Sequence, residues 1–371
     1  MILLSNAVKK FSRGDDMSYK FSVEKTLTPK DKPDSGNLPF GTIFTDHMFL
    51  MNYQKDKGWH NGRIVPYGPL CLDPAASVFH YAQEIFEGMK AYKAADGRVL
   101  LFRPDMNDKR AETSCKRLCI PPLEEGILTE AVKTLVDVDK DWIPGGENTS
   151  LYIRPFFIAT EAFLGVRASH EYLFIVILSP VGPYYREGLA PTRIYVEDKY
   201  VRSVPGSTGA IKMGGNYATG LKSEFEAFEK NYSQVLWLDG IERKYVEEIG
   251  TSNAFFVIDG EIITPSLTGS ILPGITRDSV ISLLKKWGKP IYERKVSIQE
   301  VYDAHDRGKL EEVFATGTAA VISPVGELRW KDKTININGG KIGSISQKLY
   351  DELTAIQSGK AEDVFNWVVE V

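Results

Sequence analysis

A segment dense in proline and glycine divides the chain near its midpoint. It runs from Pro180 to Pro191, reads PVGPYYREGLAP, and has the composition of a turn or loop rather than of a helix or strand. The chain has 371 residues, which is more than one hydrophobic core usually supports. We therefore predict two domains, residues 1–181 and residues 193–371, joined by a linker over residues 182–192.

Hydrophobic periodicity predicts mixed secondary structure on both sides of this linker. Before it, we predict two helices and two strands, which indicate an α+β domain: Asp105–Leu118, Thr129–Trp142, Thr149–Ala159 and Glu171–Ser179. After it, strands alternate with helices: Asn216–Glu229, Gln234–Asp239, Asn253–Ile258, Thr276–Trp287 and Glu312–Thr316. The predicted fold class is α/β with mixed α+β character, in two domains.

Composition and charge narrow the class of partner. With 43% hydrophobic and 25% charged residues, the chain has the composition of a globular protein, and its longest apolar run, Tyr172–Leu178, is far too short to cross a bilayer. The net charge of −4 comes from 45 basic and 49 acidic residues spread along the chain. This balance gives no basic patch for nucleic acid or a membrane surface, so a small-molecule partner is favoured.

Cysteine usage and the N-terminus predict a cytoplasmic protein without a metal centre. The three cysteines, Cys71, Cys115 and Cys119, form no C-x-x-C pair, and no histidine stands at metal-ligand spacing. Such a thiol pattern suits a reducing compartment. The first residues, Met1–Arg13, lack the apolar core of an export signal.

The most unusual segment is GSTGAIKMGGNY, residues 206–217, in which four glycines surround Lys212. A phosphate-binding P-loop needs glycine before its lysine and serine or threonine after it, whereas Ile211 and Met213 occupy those places. A lysine held on a tight turn in a desolvated pocket has a lowered pKa and becomes a nucleophile toward carbonyl groups. The sharper hypothesis is Schiff-base chemistry, and the simpler alternative is an exposed turn residue.

Other segments supply groups that pyridoxal phosphate requires. In ILPGITRDSV, a Pro-Gly turn enters a helix, so the amides of Ile275 and Thr276 can bind an anion, although a plain helix cap explains the same pattern. The segment EEIGTSN places Glu248 before a turn of small residues, where it can pair with a ring nitrogen or lie on a solvated surface. Arg103 and Arg154 each follow strand-like residues and precede proline, which suits cleft arginines or ordinary salt bridges.

Ten segments in order resemble the branched-chain amino-acid aminotransferases, which are fold-type IV pyridoxal-phosphate enzymes. They cover most of the chain: FGTIFTDHM (40–48), FEGMKAY (86–92), LFRP (101–104), LYIRP (151–155), SPVGPYY (179–185), KMGGNYA (212–218), QVLWLDG (234–240), EEIGTSN (247–253), SILPGITR (270–277) and EVFATGTAA (312–320). The resemblance implies a smaller N-terminal domain, a larger C-terminal domain, and pyridoxal 5′-phosphate between them.

The resemblance also implies roles for the cofactor-binding residues. Lys212 would form the Schiff base with the cofactor and afterwards act as the proton shuttle. Tyr217 would bind the phenolic oxygen of the ring, and Glu248 would pair with its nitrogen. The phosphate would lie among five further residues: Arg103, Arg202, Ile275, Thr276 and Thr318.

The implied reaction is transamination of L-leucine, L-isoleucine and L-valine with 2-oxoglutarate by a ping-pong mechanism. Arg154, beside Tyr152, would receive the second carboxylate of glutamate, while Thr251, Ser252 and Ala319 would hold the α-carboxylate. The apolar wall would comprise Phe40, Phe86 and Tyr184, together with Tyr81, Leu164 and Val166 from the neighbouring subunit. The resemblance therefore implies a homodimer with shared sites.

Two departures and two alternatives accompany this interpretation. Ala320 and Ser323 replace the redox C-x-x-C of some animal members, so thiol regulation of that kind is not expected. Thr251 precedes Ser252, where several relatives have methionine, which leaves fine specificity open. D-amino-acid aminotransferases and aminodeoxychorismate lyase use similar chemistry but are shorter. A non-catalytic scaffold is the alternative from another class, although the lysine and its partners are present here.

Overall fold

The structure is a computed structural model that describes residues 21–36, 38–146, 148–182 and 189–371. Its strands are β1 (Ser22–Val23), β2 (His47–Gln54), β3 (Gly58–Pro66), β4 (Glu84–Phe86), β5 (Met89–Lys93), β6 (Val99–Phe102), β7 (Ser150–Ala159), β8 (Glu171–Val181), β9 (Thr192–Glu197), β10 (Gln234–Leu238), β11 (Val246–Ile249), β12 (Ser252–Ile258), β13 (Glu261–Thr264), β14 (Ile291–Glu293), β15 (Leu310–Gly317), β16 (Val321–Trp330), β17 (Lys333–Asn336) and β18 (Val368–Glu370). Its α-helices are α1 (Ser77–Tyr81), α2 (Pro104–Arg117), α3 (Ile127–Val138), α4 (Gly215–Ala218), α5 (Leu221–Glu229), α6 (Ile275–Lys286), α7 (Ile298–Asp306) and α8 (Ser344–Gln357). Two short 3₁₀ helices cover Lys140–Trp142 and Asn338–Gly340.

The first sheet is formed mainly by the N-terminal half. Its strand order is β1-β3-β2-β8-β7-β5-β6-β18, with β4 paired to β7. Helix α3 packs on this sheet because its apolar residues recur at helical spacing, so that Ile127, Ala131 and Leu135 lie on one buried face. Strand β7 pairs with β4, β5 and β8, which places its residues at the centre of the sheet.

The second sheet is formed by the C-terminal half, in the order β11-β10-β9-β16-β15-β12-β13-β14 with β17 paired to β16. Helices α6 and α8 share one apolar cluster with Phe255 and Phe314. Helix α7 contributes to a second cluster, which includes Phe256. Since neighbouring strand residues point to opposite faces, Phe255 and Phe256 show that both faces of this sheet are covered.

The predicted α/β fold with mixed α+β character is confirmed. The division of the chain is less simple than predicted, because the last strand, β18, pairs with β6 of the first sheet through Val369 and Leu101. The segment 193–371 therefore contributes to both sheets, and Trp367 also packs against Phe102. Most of the predicted linker, residues 183–188, lies outside the described residues. Within the part of the chain that the structure describes, no helix has the length and apolar character needed to cross a membrane.

Candidate active site

The loop that carries Lys212 is fixed by hydrogen bonds on both sides. The Asn216 side chain donates to the carbonyl oxygens of Thr208 and Ile211, at 2.8 and 2.9 Å. The Lys212 amide donates to Ser114 Oγ at 3.2 Å, and the Lys212 carbonyl accepts from the amide of Phe86 at 3.0 Å. These bonds join helix α2, strand β4 and the glycine-rich loop, so the lysine has a defined position.

The Lys212 amine lies between two aromatic rings. Its Nζ donates to Tyr217 Oη at 2.7 Å and lies 4.6 Å from the centre of the Phe86 ring. Burial lowers the pKa of Lys212 to about 7, and the positive charges of Arg110 and Arg154 act in the same direction. Because its pKa lies close to neutrality, this amine can lose or accept a proton under ordinary conditions.

Glu248 provides a buried carboxylate at the end of β11. It accepts a hydrogen bond from the amide of Leu272 at 2.9 Å, and one of its oxygens lies 3.3 Å from Arg202 Nε. Burial raises the pKa of Glu248, whereas Arg202, the Leu272 amide and Lys212 oppose that rise. Arg202 also donates to the carbonyl of Ser270. The contacts of Arg202 are therefore with Glu248 and its surroundings, although the resemblance assigned it to the phosphate.

The N-terminus of α6 lies beside Arg103. Ile275 and Thr276 are buried in its first turn. Arg103 donates to Ser279 Oγ at 2.8 Å and forms an ion pair of 2.7 Å with Asp278. Free amides at such a helix end favour an anion. Arg103 is therefore beside the expected phosphate position, but a carboxylate already engages it.

A cluster of aromatic residues surrounds Arg154. The guanidinium donates to Tyr152 Oη at 3.0 Å and lies 4.7 Å from the centre of the Phe86 ring. The rings of Phe40 and Tyr152 are 5.0 Å apart. Because Phe86 also contacts Lys212 and Tyr217, these predicted substrate-binding residues form one continuous group with the lysine.

The turn after β15 lies beside the start of β12. A side chain at Gly317 would approach within 2.9 Å of Ser252 Oγ, so the two segments are in close contact. Thr318 Oγ1 donates to the carbonyl of Gly88 at 3.4 Å, and Lys90 Nζ donates to the carbonyl of Ala319 at 2.6 Å. Thr251 lines one cavity together with Tyr217, Glu248, Arg202 and Leu272.

Three predicted substrate residues lie apart from this assembly. Tyr81, Leu164 and Val166 are on the surface, with 41%, 60% and 85% of their area exposed. Tyr81 Oη donates to the carbonyl of Leu164, which keeps the two residues together. A fourth, Tyr184, lies outside the described residues.

Sequence reasoning missed a polar stripe on helix α2. Asn107, Arg110 and Ser114 are buried, and their spacing places them on one helix face. Arg110 forms a two-bond ion pair with Glu87, at 2.8 and 2.7 Å, and donates to the carbonyl of Pro273 at 3.3 Å. Asn107 donates to the same carboxylate at 2.7 Å. The signal that could have revealed it is the presence of these polar residues on the same helix face as the apolar residues Ala111 and Cys115.

Comparison with known proteins identifies the family of this chain. A family model described as amino-transferase class IV matches residues 84–328. The chain is 60% identical, over 94% of its length and 96% of the relative's, to branched-chain-amino-acid aminotransferase 2 of Bacillus subtilis (strain 168). The crystal structure of the Escherichia coli branched-chain amino acid aminotransferase superposes with a TM-score of 0.73 at 27% identity, covering 87% of this chain and 98% of that one.

A second solved structure is of a cofactor-loaded relative. The branched-chain amino acid aminotransferase from Thermobaculum terrenum, in its PLP-form, has a TM-score of 0.70 at 25% identity and covers 87% of this chain and 97% of that one. The family model, the sequence identity and the fold all indicate the same enzyme family. The chain belongs to the class IV aminotransferase family and, within it, to the branched-chain-amino-acid aminotransferases.

Proposed function

We propose that this enzyme transfers the amino group of L-leucine, L-isoleucine or L-valine to 2-oxoglutarate in two half-reactions, with Lys212 as the Schiff-base lysine and proton carrier. One observation carries the proposal. The Lys212 amine, with its pKa lowered to about 7, lies 2.7 Å from Tyr217 Oη, and Glu248 acts electrostatically on it from within the same site. Amino-group transfer through pyridoxal phosphate requires a titratable amine, a carboxylate and a phenol in one site. Lys212, Glu248 and Tyr217 supply these three groups.

The residues present fit the cofactor of this family, pyridoxal 5′-phosphate. Lys212, Tyr217 and Glu248 would hold its ring, and the first turn of α6, with Thr318, would hold its phosphate. Among the described residues, Arg154 Nε is buried and has no hydrogen-bond acceptor, so the region retains a donor for a bound group. When bound, the cofactor supplies an aldehyde carbon that reacts with amines and a ring that takes up electrons.

Lys212 contributes nucleophilic and acid–base chemistry. Because its pKa is close to 7, a large fraction of the amine is uncharged at neutral pH and can act as a nucleophile. The same pKa would let the Lys212 amine, once it is no longer bonded to the cofactor, remove the proton from the substrate Cα and deliver it to a carbon of the cofactor. Tyr217 orients the amine through its hydroxyl.

Glu248 supplies negative charge where a ring nitrogen would need it. Burial alone would favour the neutral carboxyl group, but Arg202 and the Leu272 amide stabilise the ionised form. We therefore propose that Arg202 favours the ionised form of Glu248 against the effect of burial. Its assignment to the phosphate stays a prediction.

Arg110 is the guanidinium that we assign to the phosphate side of the site. It donates a hydrogen bond to the carbonyl of Pro273, two residues before Ile275. Among the neighbouring charges, that of Arg110 lowers the pKa of Lys212 the most. Arg103, in contrast, is engaged by Asp278 and lies over the Trp367 ring at 5.0 Å. An arginine fixed by Glu87 and directed at a helix N-terminus is well suited to an anion.

Arg154 is placed to accept both kinds of substrate. Its guanidinium lies against Phe86 and Tyr152, so the same pocket offers apolar surface and a positive charge. A branched side chain would contact the rings, and the second carboxylate of glutamate would pair with the guanidinium. The turn that contains Ser252 and Ala319 would hold the α-carboxylate common to all substrates.

We propose a homodimer in the cytoplasm. Tyr81 and Leu164, which are joined by a hydrogen bond, are exposed, as are Val166, Phe79 and Phe163. Exposed apolar residues that cluster in this way are typical of interfaces. A second copy of the chain that covered them would bring these side chains to the neighbouring site. The free thiols of Cys71, Cys115 and Cys119 suit a reducing compartment.

An absorption spectrum of the purified protein tests the proposed reaction. We expect a visible band from the lysine-bound cofactor, loss of that band on addition of L-leucine, and its return on addition of 2-oxoglutarate. Each change isolates one half-reaction. A spectrum without a visible band even after addition of pyridoxal phosphate would favour the non-catalytic scaffold instead.

Replacement of Arg154 by alanine tests the substrate assignment. We expect KM for 2-oxoglutarate to rise by at least about 30-fold, since truncation of one partner of a buried charge pair costs about 2–5 kcal/mol. The leucine half-reaction should change by much less. Single-turnover kinetics of both half-reactions provide the measurement, and equal losses in the two would contradict this role for Arg154.

A further inference from the structure

Glu84 lies on the same face of the first sheet as the substrate-binding residues. In the antiparallel pairing of β4 with β7, Glu84 is opposite Ile158 and Phe86 is opposite Phe156. Alternate residues of a strand share a face, so Glu84 and Phe86 point the same way as Arg154. The carboxylate and the guanidinium therefore lie on one surface, with the Phe86 ring between their positions.

Arg154 has neutral partners within the described part of the chain. It donates to Tyr152 Oη, and it lies over the rings of Phe86 and Tyr152 at 4.7 and 5.3 Å. Its Nε is buried and makes no hydrogen bond to any residue that the structure describes. Across residues 21–36, 38–146, 148–182 and 189–371, no carboxylate lies within ion-pair distance of it. A guanidinium in such surroundings has lost hydration that an apolar substrate cannot replace.

Glu84 is held toward the site by the glycine-rich loop. The amide of Gly214, two residues after Lys212, donates to its carboxylate. The contact is close, because a side chain on Gly214 would displace that carboxylate. Burial raises the pKa of Glu84, whereas the Gly214 amide and the positive charge of Arg154 oppose the rise. Glu84 and Arg154 thus act on each other without forming a contact ion pair.

We propose that Glu84 determines substrate specificity by partly offsetting the charge of Arg154 when the bound side chain is apolar. This inference rests on the proposed function. When leucine occupies the pocket, the Glu84 carboxylate stabilises the guanidinium that the substrate leaves unpaired. When glutamate or 2-oxoglutarate binds, its second carboxylate approaches Arg154 and is repelled by Glu84. Glu84 therefore favours branched substrates and weakens dicarboxylic ones.

The Glu84→Gln variant isolates the charge, because a glutamine oxygen can still accept the hydrogen bond from Gly214. We expect the variant to bind glutarate about five- to tenfold more tightly, since one repulsive charge is removed at intermediate dielectric. Binding of 4-methylpentanoate should weaken or stay unchanged. Titration of the cofactor-loaded enzyme with these two non-reacting acids, followed by its visible spectrum, measures both affinities without turnover. KM for 2-oxoglutarate should fall by the same factor with little change in kcat.

Two further variants separate charge from structure. Glu84→Asp keeps the negative charge but shortens the reach to Gly214, so we expect the ratio of the two affinities to remain near that of the wild type. Glu171→Gln removes an exposed carboxylate at the start of β8 and serves as the matched control. An affinity ratio that is the same in Glu84→Gln as in the wild type would overturn the proposal. Leucine turnover by the wild-type enzyme tests the proposed function separately.

Discussion

Replacement of Lys212 by alanine is expected to lower the rate of transamination by about 10³- to 10⁴-fold, because one residue supplies both the nucleophile and the proton carrier. The backbone around this position is held by Ser114 and Phe86, so the fold should survive the change. Single-turnover reaction with L-leucine, followed by loss of the cofactor spectrum, measures the effect. Cofactor retention should persist in part, since the proposed phosphate contacts do not involve Lys212.

Lys222 offers a control for the loss of a lysine. It is exposed on α5 and forms a surface ion pair with Glu226, so Lys222→Ala should retain wild-type activity. A Lys212→Ala variant with undiminished leucine turnover would remove Lys212 from the mechanism. The residue responsible would then have to be another buried amine, and Lys90, which is bound to the Ala319 carbonyl, would be the first to examine.

The sequence predicted two helices with nearly correct ends. The predicted helices Asp105–Leu118 and Thr276–Trp287 correspond to α2 and α6 within one residue at each end. The segment Asn216–Glu229 was predicted as one helix, whereas the structure divides it into α4 and α5. The backbone stays right-handed at Thr219 and Gly220, but the Gly220 amide bonds three residues back to Tyr217, which interrupts the α-helical hydrogen-bond pattern.

The strands β2 to β6 were not predicted, because their residues do not alternate cleanly. Burial along β2 is continuous over its first five residues, since helix α3 covers one face and the cluster around Leu50 covers the other. The pairing of β18 with β6 joins segments more than 250 residues apart along the chain. Such long-range pairing depends on the tertiary fold rather than on local sequence pattern.

For the site, motifs identified the residues whose local setting is unusual. Lys212 was found through the glycines around it and Glu248 through the turn that follows it. Glu84 and Arg110 were missed because their importance comes from partners distant in sequence, namely Gly214 and Pro273. Arg103 and Arg110 lie seven residues apart on or beside the same helix, and only the structure distinguishes the contacts of each.

The Arg110–Glu87 pair should be important for both folding and cofactor binding. Glu87 is fully buried, and the pair is bound by two hydrogen bonds with Asn107 as a third partner. Removal of one member of a buried ion pair leaves an uncompensated charge and costs about 3–5 kcal/mol. We therefore expect Arg110→Met to lower the free energy of unfolding by about that amount, and to weaken affinity for pyridoxal phosphate.

The double variant Arg110→Met/Glu87→Gln separates the two effects. Because it removes both charges, most of the lost unfolding free energy should return, whereas cofactor affinity should stay low if Arg110 binds the phosphate. Denaturation with and without added cofactor measures both quantities, since a ligand that binds only the folded state stabilises it according to its affinity. Recovery of cofactor affinity in the double variant would contradict a phosphate role for Arg110 and would leave the pair with a structural role alone. Loss of affinity in both variants would instead place the guanidinium of Arg110, rather than that of Arg103, at the anion end of the site.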